Sequence, residues 1–410
     1  MALTSMSSLR PILVAAVAVA AALLVGGLLV LGPSPPPPTA LGCDADTEPV
    51  GAAPVAAITT GSPISFRETW ADDVALPDVG SGLFNGVAAF ANRAVAVGRL
   101  EGETLRALIA LSDDGRTWRV TSDDGPDFSG AEAVDAVAIG DGFVVAGSVS
   151  TNDRGGSAGA IWWSQTGERW QRLPPQPVAY IHQLGWGPRG FLATASTAGG
   201  DPVLGSSADG RDWRWTAWPT RGSPGDVAPT LDGWIAVGWI GVGGDDRLPV
   251  VWRSTDGTHW TCQVLSTTPN EPFGNAVSVY PGGATTLVRG HINAGCSPFA
   301  SCAASDAVWV ATADGSWRRL DSEDASLLRA VTAGPDGSFV ALTETGVSRS
   351  EDGTTWHQVS DQVPPEGTPG AIGVANWGLV GVGETYQGAV VRPYITFLPA
   401  ERGDPPSSRD

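Results

Sequence analysis

From residue 64 to residue 400 the chain is written in short apolar runs that come in pairs, and six of the seven pairs are joined by a turn that contains glycine. In every pair the first run is short and apolar and the second reads like Phe143-Val144-Val145-Ala146-Gly147. Such pairs occupy 87–98, 136–147, 183–195, 227–238, 277–290, 331–342 and 372–383. Runs of this length rich in Val, Ile and Phe predict strands, and turns such as Gly140-Asp141-Gly142 and Pro335-Asp336-Gly337 predict hairpins. The pattern therefore predicts seven hairpins and no helix within this region.

Between the hairpins a second unit recurs. Its copies are Ser112 to Trp118, Ser164 to Trp170, Ser207 to Trp213, Ser254 to Trp260, Thr312 to Trp317 and Ser350 to Trp356, and their tryptophans lie 39 to 57 residues apart. Self-similarity at that period marks a solenoid, propeller or array. The fixed members are Asp114, Asp209, Asp256, Asp314 and Asp352 before a glycine, with Trp118, Trp170, Trp213, Trp260, Trp317 and Trp356 closing the copies. Thr166 stands where the second copy would carry its aspartate. Asp-Gly is a tight-turn dipeptide, because the carboxylate accepts nearby backbone amides and glycine takes positive φ without steric cost. Each copy thus predicts a turn between two strands with its tryptophan entering the second. Burying one tryptophan removes about 150–250 Å² from water, roughly 4–6 kcal/mol as an upper bound.

These segments resemble the Asp-box (BNR) repeat of sialidases, sortilin-type receptors and photosystem-assembly propellers. They are one residue shorter than the usual box between aspartate and glycine. The resemblance implies an all-β, seven-bladed β-propeller of four-stranded antiparallel blades over 64–400, and says little about activity. Six boxes against seven hairpins leaves one blade incomplete, and the run 390–398 after the last hairpin lacks a partner. Ser65-Phe66-Arg67-Glu68-Thr69-Trp70 resembles the strand that follows each box. Pairing it with the last run closes the ring and removes the exposed edges. An open array or two smaller domains would be the alternative.

Residues 11–32 contain no charge and are long enough to cross a bilayer as a helix. Arg10 precedes them and no further cation comes before Arg67, which predicts 1–10 in the cytoplasm and the remainder outside a bacterial cell. A cleaved signal peptide and lipid attachment at Cys43, after Ala40-Leu41-Gly42, are the competing readings. The stretch 33–63 is rich in Pro, Ala and Gly and predicts an extended stalk, with a polar tail at 401–410. A net charge of −19 argues against nucleic acid as a partner. Of four cysteines, Cys296 and Cys302 predict a disulfide, and Cys43 and Cys262 are left free or joined to each other. The chain has no CxxC or Cys/His zinc spacing, so neither metal nor cofactor is expected.

In this strand order the box turns share one face with the hairpin turns, and the opposite face carries the remaining loops. Those include 121–134, 150–159, 240–248, 291–305 and 384–388. Rigid scaffolds place function on such loops, which nominates His182, Asp246, Arg247, Arg289, His291, Glu384 and Tyr386 as ligand-binding residues. The sialidase resemblance implies an arginine cluster, a tyrosine–glutamate pair and an acid–base aspartate. The chain lacks an Arg-Ile-Pro motif and has only Tyr180, Tyr280, Tyr386 and Tyr394 to offer. It also lacks a Gly-x-Ser-x-Gly elbow and a phosphate-binding glycine loop. The sequence therefore favours a membrane-held, non-catalytic scaffold for a protein or glycan. The alternative is a glycoside hydrolase or lyase, which would require two close carboxylates with perturbed acidity in the channel.

Overall fold

The computed structural model describes residues 62–401, apart from 123–124, 140–141, 152–155, 244–245, 266, 268–272, 284, 294–303, 313–314, 322–327 and 366. The apolar segment 11–32, Cys43, the Cys296–Cys302 pair, Asp314 and the tail lie outside the described residues. Among the described residues no helix is long and apolar enough to cross a membrane.

The chain forms seven antiparallel sheets, six of four strands and a last one of three. Consecutive sheets are blades of one propeller, and the innermost strand of blade 1 packs against that of blade 7. The innermost strands, in order, are Gly82–Phe90, Ala131–Ile139, Tyr180–Gly187, Ser223–Thr230, Phe273–Pro281, Ala330–Ala333 and Thr368–Ala375. The middle strands are buried on both faces, as Val95, Val145, Ala193, Val237, Val288, Ala341 and Val380 show. Their near-continuous apolar runs follow from that, since each middle strand packs against two neighbouring blades.

The core is accordingly divided among the seven junctions between blades. Val97 and Ile109 of blade 1 meet Phe143 and Trp162 of blade 2, and equivalent clusters follow around the ring. Single polar contacts add to them. Asn85 donates to the Ala133 carbonyl (2.9 Å), Thr194 to that of Gly225 (3.0 Å), Arg289 to that of Arg329 (2.7 Å) and the Asn376 amide to that of Ala91 (2.7 Å).

Closure of the ring follows the expected plan with one difference. The amides of Arg67 and Ala71 donate to the carbonyls of Pro399 and Phe397, and the amide of Glu401 to that of Ser65. The segment makes only one bridge, Phe66 with Ala400, and not the full fourth strand the sequence predicts. Proline is one reason: Pro393 and Pro399 lie on the same edge of the last strand, and neither has an amide to give. Side chains supply the rest. Phe66 is 5% exposed and packs between blades 6 and 7, beside Leu342, Val347 and Leu398, with Ile64 and Trp70 against the same cluster. Further on, Ala75 exchanges backbone bonds with the Arg116–Trp118 stretch of blade 1. The segment thus ties blades 6, 7 and 1 together from outside.

The recurring turns have one construction. In the first copy the Ser112 hydroxyl accepts the Gly115 amide (2.9 Å) and donates to Asp114 Oδ1 (3.1 Å). The same carboxylate oxygen accepts the amides of Arg116 (2.9 Å) and Thr117 (2.8 Å). The Trp118 indole donates to the Gly115 carbonyl (3.1 Å). The turns at Asp209, Asp256 and Asp352 repeat these bonds to serine and carboxylate. The six glycines sit between φ +71° and +81°, where an L side chain is strained. In the second copy Thr166 offers only a hydroxyl, which accepts the Glu168 amide at 3.3 Å, and the Trp170 indole turns away to Thr121.

Candidate functional site

Six of the seven inner strands carry a β-bulge at the same level, centred on Asn85, Val134, His182, Gly225, Val277 and Gly370. A bulge places two residues opposite one, bends the strand and re-aims the next side chain. Beside the bulges stand Gly86, Asp135, Gln183, Asp226, Ser278 and Ala371, and all six line the central channel. Blade 6, whose inner strand is only four residues long, contributes Thr332. Blades 2 to 6 thus present polar groups to the channel at this level, and blade 1 adds Asn85 from the bulge itself. The cavity so formed is about 470 Å³ and reaches Phe90 and Trp186 at the hairpin end.

Two carboxylates dominate it. Asp135 on blade 2 accepts the Leu184 amide of blade 3 at 2.7 Å. Asp226 on blade 4 accepts the amide of its own neighbour Val227 (2.7 Å) and that of Val279 on blade 5 (2.9 Å). Each therefore latches its blade to the next, through the amide that follows the matching channel residue there. Both keep a fringe of accessible surface on the channel and are otherwise enclosed by the inner strands. Burial pushes the Asp135 carboxyl up to about 7, against the amides of Leu184 and Ala136. Burial also pushes Asp226 up to about 7, opposed by the Val279 and Val227 amides and reinforced by the charge of Asp135. The described lining contains no arginine or histidine to offset them.

Above the channel, on the face away from the boxes, blades 1 to 3 bring together Arg99, Glu132, Tyr180 and His182. Arg99 pairs with Glu132 at 2.6 Å, and Asn85 donates to the same oxygen at 3.2 Å. The Tyr180 and His182 rings lie 5.0 Å apart, and His182 shares a hydrogen bond with Ser196 at 3.1 Å. Burial pushes the Tyr180 hydroxyl up to about 12, with the charge of Glu132 adding and that of Arg99 opposing. Burial holds His182 below the usual imidazole range.

The nominated residues fall on four blades. His182 belongs to the cluster just described. Arg247 lies over the Trp239 ring at 4.2 Å, beside Asp246, where the hairpin of blade 4 extends into what the sequence suggests is a loop. His291 faces Asp306 at 3.1 Å within blade 5, and Arg289 is engaged with the backbone of blade 6. Tyr386 donates to Glu384 at 2.7 Å in an exposed, tight hairpin, again where a loop is expected. Each of these contacts stays within one blade or reaches an adjacent backbone. Cys262 is disulfide-bonded and so is not free; its partner is one of the three cysteines outside the described residues. Among the described residues no group of three His, Cys, Asp or Glu converges as metal ligands do.

The sequence reading did not single out Asp135, Glu132 or Asp226. Asp135 and Asp226 each stand immediately before the paired runs that the sequence marks at 136–147 and 227–238. The bulges that aim both inward leave no mark in a single sequence.

No protein-family profile and no curated protein matches the chain. Solved structures do resemble it. One is the extracellular domain of the hybrid two-component system protein BT4673 of B. thetaiotaomicron, with 8% identity over 82% of this chain and 40% of that one, at TM-score 0.50. Others are the BP39L lectin of Burkholderia pseudomallei (14% identity, 77% of this chain and 99% of that one, TM-score 0.47) and the propeller domain of the Trilobed protease of Pyrococcus furiosus (10%, 77% and 93%, 0.47). Identities this low show the β-propeller fold and nothing of its use.

Proposed function

We propose that this chain is an extracytoplasmic, non-catalytic propeller, carried on the membrane by its apolar N-terminal segment. Its channel and the face away from the boxes would receive a protein or glycan partner, and its six turns would be Asp-boxes in their structural role. Two channel carboxylates with perturbed acidity, Asp135 and Asp226, are what the hydrolase alternative calls for. What supports a binding role instead is the geometry around them: they come from alternate blades, and the described lining brings no arginine cluster to them. Both are also engaged with backbone amides that join neighbouring blades.

The test is an activity screen of the full chain against chromogenic glycosides, run beside a glycan and protein binding screen. Saturable binding without turnover is the expected result. Turnover that disappears in either Asp135→Asn or Asp226→Asn would replace this reading with the hydrolase.

A further inference from the structure

The channel has a chemistry of its own. Its described lining offers two carboxylates, the Asn85 and Gln183 amides, the Ser278, Thr332 and Tyr280 hydroxyls, and aromatic rings at Trp186 and Phe90. Acceptors thus outnumber donors, and the described lining brings no positive charge to them. Paired like charges in a confined site are costly unless a cation joins them. The chain's own arginines near the channel already have partners: Arg99 pairs with Glu132, and Arg289 binds the Arg329 carbonyl and the Tyr280 hydroxyl.

We infer that the channel binds an ammonium or guanidinium group, presented either by a free diamine or by a lysine or arginine of the partner. The inference rests on the binding reading given above. A metal ion fits less well, since it needs several oxygens converging on one point. Asp135 and Asp226 come from alternate blades, each is held by backbone amides, and among the described residues no three ligating side chains gather. An organic cation has no such demand. It hydrogen-bonds the carboxylates at its charged end and leaves its methylenes against Val137, Val227 and Ile372. Aromatic faces at the hairpin mouth attract the same charge. A cavity of about 470 Å³ admits a group of this size but not an extended oligosaccharide.

Calorimetric titration of the full chain with putrescine at about 0.15 M NaCl tests this, because that salt screens contacts across the acidic exterior. Saturable binding is expected, with 1,4-butanediol, its neutral isostere, giving none. Asp135→Asn and Asp226→Asn should each weaken putrescine at least tenfold. The double variant Asp212→Asn, Glu351→Gln removes twice the charge of either channel variant from the exposed box turns and should stay within twofold of the wild type. Gly370→Leu provides a readout that leaves both aspartates in place. A Cβ at Gly370, which lines the channel, meets nothing within 4 Å, so leucine there should narrow the channel and weaken binding at least tenfold. An acetylated Gly-Arg-Gly amide tells the sources apart: stronger binding than putrescine assigns the site to a partner's side chain, weaker binding to a free amine.

Absence of putrescine binding, equal binding of the diol, or equal loss in the exposed-turn variant would each overturn the inference. Unchanged affinity in Gly370→Leu would do so as well. None of these outcomes concerns turnover of a glycoside, so the binding reading fails on different data.

Discussion

Asp256 on the outer rim and Asp226 on the inner rim each accept two backbone amides at 2.7–2.9 Å, yet their acidities move in opposite directions. Asp256 stands in solvent, and the His259 amide and ring and the Thr258 amide hold its carboxyl well below the usual carboxylate range. Asp226 lies in the channel, where burial outweighs the same kind of partners and pushes it up to about 7. The backbone amides are alike; the His259 ring adds to the pull on Asp256, and burial reverses the sign at Asp226. The outer carboxylate is a structural cap, comparable to one at a helix N-terminus. The inner one is a latch whose charge is costly where it sits.

The largest effect tests whether the outer rim is held by its turns. Trp118, 2% exposed, closes the first turn. Trp118→Ala should lower the unfolding free energy by about 3–5 kcal/mol through the cavity it leaves. A urea denaturation curve displaced by less than about 1 kcal/mol would show that the rim is held by something else.

The pH dependence of stability sharpens the comparison next. The channel pair has folded acidities raised above the unfolded value of about 3.9. Its stabilising contribution is therefore complete below about pH 4 and is lost as the pH rises through about 7. The box aspartates have lowered acidities, so theirs is present above about pH 4 and lost as the pH falls further. In amine-free buffer, the double variant Asp135→Asn, Asp226→Asn should melt close to the wild type at about pH 4.5 and several degrees above it at about pH 8. Parallel melting curves across that range would break the assignment.

The smallest effect is a reciprocal exchange at the boxes. Asp256→Ala deletes an acceptor for two amides and should lower the melting temperature slightly, whereas Thr166→Asp supplies the missing acceptor and should raise it slightly. Thermal melts that shift in the same direction for both would show that the carboxylate does not set the turn.

The two rims also differ in how far the sequence reveals them. The outer rim repeats residue types, because serine, aspartate, glycine and tryptophan each do one job there that few other side chains can do. Glycine at positive φ and a carboxylate that caps two amides recur in fixed order, which marks the repeat, and the seven hairpins between them give the blade count. The inner rim repeats a backbone shape instead. Its bulges sit at one level, but the residue beside each is glycine, aspartate, glutamine, serine or alanine, and no letter pattern betrays the level. The upper cluster escaped for a related reason. Arg99, Glu132 and Tyr180 come from three blades, and only the closed ring brings them together. His182 was legible because it lies near the start of an inner strand, whereas Asp246, Arg289 and Glu384 were nominated for neighbouring loops that the structure shows to be strand or tight hairpin.

The closure segment bears on the order in which the protein can be made. Phe66 and Trp70 leave the ribosome before any blade exists, while the carbonyls and apolar surface that receive them, at Phe397 to Ala400, appear only after all seven hairpins. Blades can form one after another during synthesis, each against its predecessor. The ring itself has to wait for residues 397–400. Until then the apolar closure segment has no seat, and a nascent chain stalled before residue 397 is an open fan with a loose aromatic end, the form in which pairing with a second copy competes with self-closure.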